Sequence, residues 1–294
     1  MAASLGEPLL RANIARARLL WQDCAYAMNL GAAKRMAASV RTLKSKASSG
    51  AASVVARLDA EVDAFVRRTR FFHEPITRGR ATMFVFQHRQ NTRHRNSVLK
   101  LRVATNCPDW DIRLRIIRAC AEEIIADHEH GGGRPHWAIL EELGIKIGLK
   151  RDAIRHARLL ASTQMAWLAW DALMSNRPWL EGLVANTCAE RANIPGYGEG
   201  ILRKHGWFGL ERQRWGRLFG LADDDLEFFE LHEAADIAHS DLGWKTIAEQ
   251  AERQDAADAV VQACRVNLVV WENYLDGIAD GGDALDRGRE PNYV

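Results

Sequence analysis

The feature that most constrains the fold is the spacing of the apolar residues, which recur every three or four positions and show no sustained alternation with polar residues. Spacing of this kind places apolar side chains on one face of a helix, whereas a half-buried strand needs alternation. The pattern therefore predicts an all-α protein, built as a helical bundle with connections of modest length.

Four segments show the helical pattern most clearly. The first is expected to form one long buried helix with inward residues Leu159, Leu160, Met165, Trp167, Leu168 and Leu173. Pro178 is expected to open the next helix at its first turn, and that helix runs on through Cys188. The third segment is Asp224–Gln250, with inward residues Leu226, Phe229, Ala234, Ile237 and Trp244. The last is Ala256–Ile278, which is expected to end at a C-cap formed by Gly281 and Gly282.

The domain organisation is predicted from length and local composition. A chain of 294 residues can form one large domain or two small ones. Lys46–Ser53 is rich in Ser, Ala and Gly, as expected of a flexible joint. We therefore predict an N-terminal helical extension over residues 1–55 and a helical domain over residues 56–294. An Arg-rich, acid-poor start is also typical of a cleaved transit peptide.

Composition sets expectations for location and partners. Five cysteines without a CxxC pair favour a reducing, cytoplasmic location, and no apolar run is long enough to span a membrane. The basic stretch Arg67–Arg102 is interpreted as a solvated basic face rather than a nucleic-acid patch, because its aromatic residues are spaced for a core. The expected partner is a small molecule, neither membrane nor nucleic acid is expected, and a homodimer is left open.

The most informative polar cluster combines His232, Asp236 and His239. Their spacing of i, i+4 and i+7 places the three side chains within roughly 60° on one helix face. Helical bundles present metal ligands to their interior in this way. The alternative interpretation is a set of hydrogen-bonded core residues, and the three ligand types on one face favour a site.

Two other places add ligands of the same kinds. Glu129 and His136 are spaced i, i+7, although the glycines between them are also typical of a polar loop. Glu190 lies in a helix of small and apolar residues, and a partnership with Arg191 is its simpler interpretation. Together, three carboxylates and three imidazoles match the ligand set of a non-heme di-iron centre, since mixed oxygen and imidazole ligands suit iron or manganese.

The arrangement excludes a ferritin-like carboxylate bundle. That architecture uses a Glu-x-x-His motif on each of two helices. This chain has no such motif, only Asp127-x-x-His130 and Asp236-x-x-His239.

With these residues in place, the chain resembles the heme-oxygenase-like di-iron oxidases, also described as iron-containing redox enzymes. The family pattern is Glu, six residues, His; then a lone Glu on the next core helix; then His, three residues, Asp, two residues, His. It is matched by Glu129 and His136, by Glu190, and by the triad that ends at His239. The segments His136–Leu140 and Phe228–His232 are also similar, and the resemblance covers roughly residues 60–280.

The resemblance implies a bundle of about seven core helices that binds two Fe(II) ions and uses O2 through a peroxo-diferric intermediate. The reactions it implies are N-oxygenation, desaturation or C–C cleavage of a small amine or amino acid in small-molecule biosynthesis. By the same resemblance, the metal ligands are Glu129, His136, Glu190, His232, Asp236 and His239, and the catalytic carboxylates are Glu129, Glu190 and Asp236. The substrate pocket is predicted to include Trp137, Tyr197 and Lys245.

Other functions are left open at this point. Relatives of this fold include metal-free enzymes of the thiaminase and quinone-cofactor-synthase types, and Cys188 near Glu190 is a possible nucleophile for the first type. A metal-free binding or regulatory protein and a di-metal hydrolase are the further alternatives. Iron content separates the metal-free proteins from the others, and a requirement for oxygen separates the oxidase from the hydrolase.

Overall fold

The computed structural model describes residues 49–129 and 132–294. These residues form α-helices, one π-helical segment, one short 3-10 helix and two isolated bridges, with no β-strand among them. The helices before the first long loop are α1 (Ser49–Arg68), α2 (Arg70–His73), α3 (Arg78–His94), the π-helical segment (Arg95–Leu99), α4 (Lys100–Asn106) and α5 (Trp110–Ile124). After it come α6 (His136–Lys146), α7 (Arg151–Arg155), α8 (Ala161–Ser175), α9 (Trp179–Asn193), α10 (Gly200–Phe219), the 3-10 helix (Asp223–Leu226), α11 (Glu227–Arg253) and α12 (Ala257–Asp286). The predicted all-α class is confirmed.

Local sequence explains where several helices begin and end. The Thr77 hydroxyl accepts the Arg80 amide at 3.2 Å ahead of α3, and the Asp109 carboxylate accepts the Ile112 amide at 3.0 Å ahead of α5. These side chains satisfy amides that have no partner within the first helical turn. Helix α10 ends at Gly220, whose φ of 70° suits a residue without a Cβ atom.

The core forms around α12, which packs along α3, α8 and α9, while α9 packs against α11. At one end of α12 the backbones of α3 and α12 come close together. A Cβ atom built on Gly282 would lie 2.4 Å from the Arg80 Cα atom, and one built on Gly79 would lie 2.2 Å from the Gly282 carbonyl oxygen. The predicted C-cap at Gly281 and Gly282 is therefore wrong, because these glycines permit close packing inside a helix that continues to Asp286.

The buried faces of two helices differ from the prediction. In α8 the side chains of Met165 and Leu168 are exposed. The buried face of α8 is carried by Thr163, Ala166, Trp170, Leu173 and Met174. In α11, Ile237 is also exposed, although its neighbour Asp236 is buried. Leu173 of α8 is buried as predicted, and so are Phe229 and Trp244 of α11. The prediction is wrong at the exposed positions, because smaller or polar residues such as Ala166 and Asp236 occupy inward positions.

The predicted solvated basic face is wrong for the central part of the stretch. Arg80, Arg89, Arg95 and Lys100 all have buried side chains. Arg80 is neutralised by Glu74 and by Asp283, whose Oδ1 lies 2.8 Å from the Arg80 Nε. Burying a charge requires a partner, and Asp283, Glu141 and Glu190, which pair with Arg80, Arg89 and Lys100, come from distant parts of the sequence.

The π-helical segment between α3 and α4 determines which residues face the interior. Asn91 and Thr92 at the end of α3 are buried, and so are Arg95, Asn96 and Lys100 after them. Asn96 Nδ2 donates to the Thr92 carbonyl oxygen at 2.9 Å within this segment. π-helical insertions of this kind are frequent at functional sites.

The predicted boundary near residue 55 stays a prediction. Helix α1 runs from Ser49 to Arg68 across that position. Residues 1–48, with most of the predicted extension, lie outside the described residues. Within the described part of the chain, no helix has the length and apolar character needed to cross a membrane.

Candidate metal centre

The first part of the site is formed where α5 ends and α6 begins. The chain leaves the helix after Ile124 and makes a turn that is closed by a bridge between Asp127 and Arg134. His136, the first residue of α6, then lies with its ring between two carboxylates. Its Nδ1 atom is 3.1 Å from Glu123 Oε2, and its Nε2 atom is 2.9 Å from Asp127 Oδ2.

The second part is His232, near the start of α11. Its Nδ1 atom lies 2.8 Å from the Phe228 carbonyl oxygen, which can only accept a hydrogen bond. This assigns the proton to Nδ1 and leaves the lone pair on Nε2. The rings of His232 and His136 are 4.8 Å apart. Within the described residues, Glu123, His136 and His232 form a group whose donor atoms all lie within 4.8 Å of one another.

Glu123 and His232 line a cavity inside the bundle, and two further carboxylates line it with them. Glu190 of α9 accepts a hydrogen bond from the buried Lys100 Nζ at 3.0 Å. Asp236, one turn beyond His232, accepts one from Asn193 Nδ2 at 2.8 Å. The cavity also has an aromatic wall, and its residues are Phe65, Phe72, Phe84, His88, Asn91, Thr92, Arg95, Asn96, Glu123, Ala189, Glu190, Asn193, Trp207, Phe208, His232, Asp236, Trp271 and Leu275.

Burial and neighbouring charges shift the pKa values in opposite directions. Burial would lower the pKa of His136, but Glu123 and Asp127 raise it to about 9. Burial would raise the pKa of Glu123, but the charge of His136 holds it well below its ordinary value. Burial lowers the pKa of His232 to about 3, and burial together with Glu190 raises that of Asp236 well above its ordinary value.

These residues fit a transition metal of the iron type. The Nδ1 atom of His136 is buried and lies 3.1 Å from Glu123 Oε2 without a well-oriented hydrogen bond. A metal that displaces the proton from Nδ1 would therefore meet an imidazole and a carboxylate ligand side by side. The other nitrogen of His136 is held by Asp127, as carboxylates commonly hold the second nitrogen of a metal-ligating histidine. Imidazole nitrogens and carboxylate oxygens in one group suit iron.

The structure brings four of the six predicted ligands to this cavity or its edge and places Glu129 elsewhere. His136 and His232 belong to the three-residue group with Glu123, and Glu190 and Asp236 line the cavity beside it. Glu129 is exposed in the turn after α5. The i, i+7 spacing places Glu129 and His136 on one side only if the segment between them stays close to helical, and its glycines also favoured a loop. Because the helix ends before that segment, Glu123 on the last turn of α5 occupies the position expected for Glu129. The backbone of His239 lies in α11, and its side chain lies outside the described parts.

The three predicted pocket residues do not line this cavity. The Trp137 indole nitrogen donates to the Ile124 carbonyl oxygen at 3.3 Å and so supports the end of α5. The Tyr197 hydroxyl donates to Asp59 and accepts from Arg191 Nε at 2.7 Å. Lys245 is exposed beside Glu249.

Cys188 also does not line the cavity. Its side chain is fully buried and accepts a hydrogen bond from Asn267 Nδ2 at 2.7 Å. The thiol therefore has no access to a molecule bound beside Glu190, which removes the main support for a thiaminase-type nucleophile.

Sequence reasoning missed four chemically important residues: Arg95, Lys100, Glu123 and Asp127. Arg95 and Lys100 were interpreted as part of a solvated face. The available signal was spacing, because Asn91, Arg95 and Leu99 recur at four-residue intervals, as residues on one helix face do. Glu123 and Asp127 both stand in the acidic run that precedes His136.

The fold and the site together define an all-α protein with an iron-type metal centre inside its bundle. A sequence model of the iron-containing redox enzymes matches residues 84–272, and the chain belongs to this family of oxidoreductases. A crystal structure from Shewanella denitrificans, described as a domain of unknown function with a heme oxygenase-like fold, aligns with a TM-score of 0.61 and 16% identity. The alignment covers 81% of this chain and 95% of that chain. The protein therefore has the heme oxygenase-like fold.

A curated relative is the 4-aminobenzoate synthase of Nitrosomonas europaea. It is 25% identical to this chain over 174 residues, which is 59% of this chain. The match spans 64% of the relative's own length.

Proposed function

We propose that this protein is a non-heme di-iron, O2-dependent oxidase or oxygenase that acts on a small amine- or amino-acid-type metabolite. The observation that carries the proposal is the convergence of Glu123, His136 and His232, with Glu190 and Asp236 on the same cavity. The relative named 4-aminobenzoate synthase supports a role in small-molecule biosynthesis.

Five residues are proposed as metal ligands from their positions. They are Glu123, His136, Glu190, His232 and Asp236, with His239 added from the sequence pattern. When bound, a pair of Fe(II) ions supplies the electrons that activate dioxygen. Three ionised carboxylates neutralise most of the charge of two divalent ions, which makes binding in an apolar interior feasible.

The chain's own groups hold the ligands in position. Asp127 holds His136 through Nε2, and the Phe228 carbonyl holds His232 through Nδ1. Lys100 donates a hydrogen bond to one oxygen of Glu190, and Asn193 donates one to an oxygen of Asp236. Fixed ligands of this kind lose little conformational entropy when a metal binds.

The aromatic wall serves the reaction by excluding water. Phe84, Phe208 and Phe228 surround the His232 side of the site, and the Phe208 ring lies 4.8 Å from the His232 ring. An apolar wall keeps water away from reactive species and strengthens charge interactions inside the cavity. The same wall has the right chemistry to hold the apolar body of a metabolite.

The test is to load the full chain anaerobically with Fe(II), measure iron per chain, and then measure oxygen uptake with a panel of amines and amino acids. The expected result is about two irons per chain and oxygen uptake that depends on iron. A chain that binds no iron would contradict the proposal and favour the metal-free alternatives. A chain that binds metal and turns over without oxygen would instead be a hydrolase.

A further inference from the structure

Four residues that line the cavity each have a buried polar atom without a hydrogen-bond partner in the described structure. These atoms are the Nε of Arg95, the Oδ1 of Asn96, and the indole nitrogens of Trp207 and Trp271. A buried polar atom without a partner costs about 1–3 kcal/mol. Three donors and one acceptor around one cavity are the arrangement expected where a polar ligand supplies the missing bonds.

Arg95 is the most unusual of the four. Its side chain is buried, and one terminal nitrogen donates to the carbonyl oxygens of Asn186 at 2.8 Å and Ala185 at 3.3 Å. Its guanidinium lies 5.0 Å from the Trp271 ring and 5.8 Å from the Trp170 ring. These contacts hold the guanidinium in one orientation and leave its Nε atom without a hydrogen-bond partner.

Other buried arginines of the chain, unlike Arg95, are paired with carboxylates. Arg80 is paired with Asp283, and Arg89 is paired with Glu141. Arg95 forms no ion pair with any residue that the structure describes. A buried arginine without a carboxylate partner is rare in proteins, because desolvating the charge is costly.

The charge of the cavity also favours an anion. Glu123, Glu190 and Asp236 bring three negative charges when ionised, and Arg95 and Lys100 bring two positive charges. Two divalent metal ions would leave the site with an excess of positive charge, and an anionic ligand would reduce it. Carboxylates are recognised by arginine through paired hydrogen bonds.

We propose that Arg95 binds the carboxylate of the substrate, and that Asn96 Oδ1 accepts a hydrogen bond from an N–H group of the same molecule. The substrate class is then a small organic carboxylate that carries an amine and has an aromatic or other apolar body. The body packs against the aromatic wall formed by Phe65, Phe72 and Phe84. This inference rests on the proposed function for its site, but its test does not depend on turnover.

The π-helical segment explains how one stretch of chain supplies both groups. Arg95 and Asn96 are its first two residues, and both line the cavity. Lys100 follows immediately and pairs with Glu190. The segment therefore holds the carboxylate anchor next to the residue that holds a proposed metal ligand.

The experiment measures binding by calorimetry on the full chain, both iron-loaded under anaerobic conditions and metal-free. The probes are benzoate, 4-aminobenzoate and L-phenylalanine, each paired with its amide, in which the carboxylate is replaced by a neutral group. At least one carboxylate is expected to bind about tenfold or more tightly than its amide, since a charge-assisted bond is about twice as strong as a neutral one. Carboxylates that never bind better than their amides would overturn the proposal without the need for any variant.

Variants then identify the residue. Arg95→Gln is expected to reduce carboxylate affinity about tenfold or more and to leave amide affinity unchanged, with partial recovery in Arg95→Lys. Arg118→Gln is the matched control, because Arg118 is exposed and lies outside this cavity. An Arg95→Gln protein that keeps full carboxylate affinity would overturn the assignment.

Iron content separates this inference from the proposed function. A chain that binds iron and consumes oxygen but shows no preference for carboxylates keeps its function and loses the Arg95 proposal. A chain that prefers carboxylates through Arg95 and binds no iron keeps the Arg95 site and loses the di-iron function.

Discussion

Two buried polar clusters lie next to each other along α3 and its π-helical continuation, and they differ in how completely their charges are paired. In the first, which we call the Glu141 cluster, the carboxylate of Glu141 accepts from Arg89, Arg151 and Arg155 at 2.6–3.1 Å. In the second, the metal-centre cavity, Arg95 has no carboxylate partner among the described residues, and His136 Nδ1 lies beside Glu123 without an oriented hydrogen bond.

The difference separates a structural cluster from a functional one. The Glu141 cluster joins α3, α6 and α7, and its groups have little capacity left for another molecule. The cavity has donors and acceptors that find no hydrogen-bond partner among the described residues. Buried groups that remain unpaired cost stability, so their retention indicates a ligand or a metal.

The largest expected effect comes from removing a proposed ligand. His232→Ala should reduce bound iron by at least half and bring oxygen uptake to background, because Nε2 of His232 is its free donor atom. The measurements are iron per chain and oxygen uptake. His156→Ala is the control, since His156 is exposed and far from the cavity. Normal oxygen uptake by His232→Ala would remove His232 from the site.

The next largest effect is expected in the Glu141 cluster. Glu141→Gln should lower the free energy of unfolding by about 3–5 kcal/mol, because it leaves the buried Arg89 without its counter-charge. Iron per folded chain should stay the same. Denaturant unfolding and iron analysis measure both. Loss of iron without loss of stability would show that the two clusters are not distinct in role.

A paired substitution compares the carboxylate predicted from sequence with the one found in the structure. Glu123→Gln should reduce bound iron by about half or more, because Glu123 belongs to the three-residue group. Glu129→Gln should leave iron unchanged, because Glu129 is exposed in the turn. The reverse result would restore the spacing of Glu129 and His136 as the ligand pattern.

These residues also show what sequence can predict for such a site. His232 and Asp236 were correctly placed on one face because a single unbroken helix carries both, and helical geometry fixes their relation. The structure separates Glu129 from His136, because a helix end and a turn lie between them and spacing has no fixed geometry across a turn. The all-α class could be predicted from the recurrence of apolar residues every three or four positions alone.

The burial of charged side chains also could not be predicted from the sequence. Arg95 and Lys100 have the composition of a solvated face, and only the positions of Glu190 and the aromatic wall show that they are interior. Their partners come from α9, about 90 residues away in the chain. A single sequence has no local signal for contacts of that range.

Lys100→Met tests whether Glu190 binds a metal, by comparing the loss of stability in the metal-free and the iron-loaded chain. In the metal-free chain this change leaves Glu190 without its cation and should cost about 1–3 kcal/mol. In the iron-loaded chain the metal would pair with Glu190, so the cost should be smaller. The thermal midpoint of each form measures the difference. An equal loss in both forms would mean that Glu190 binds no metal.

The smallest effect is the acid sensitivity that His88 contributes to the metal-free chain. Burial lowers the pKa of His88 to about 4, with Glu123 and Arg95 acting on it in opposite directions, and Tyr274 is its hydroxyl neighbour at 3.4 Å. Between pH 6.5 and 4 the unfolded chain binds a proton that the folded chain does not, so stability falls as pH falls. At most about 1.4 kcal/mol is lost per pH unit.

His88→Gln should therefore reduce the fall in thermal midpoint between pH 7 and pH 5, and His156→Gln, which changes an exposed histidine, should not. His136 cannot produce this result, because its pKa is raised to about 9 and its contribution is lost only as pH rises toward that value. An unchanged acid slope in His88→Gln would mean that His88 takes up its proton in the folded cavity. That outcome would place a second cationic group beside Arg95. It would weaken the distinction between the metal-centre cavity, with its unpaired groups, and the fully paired Glu141 cluster.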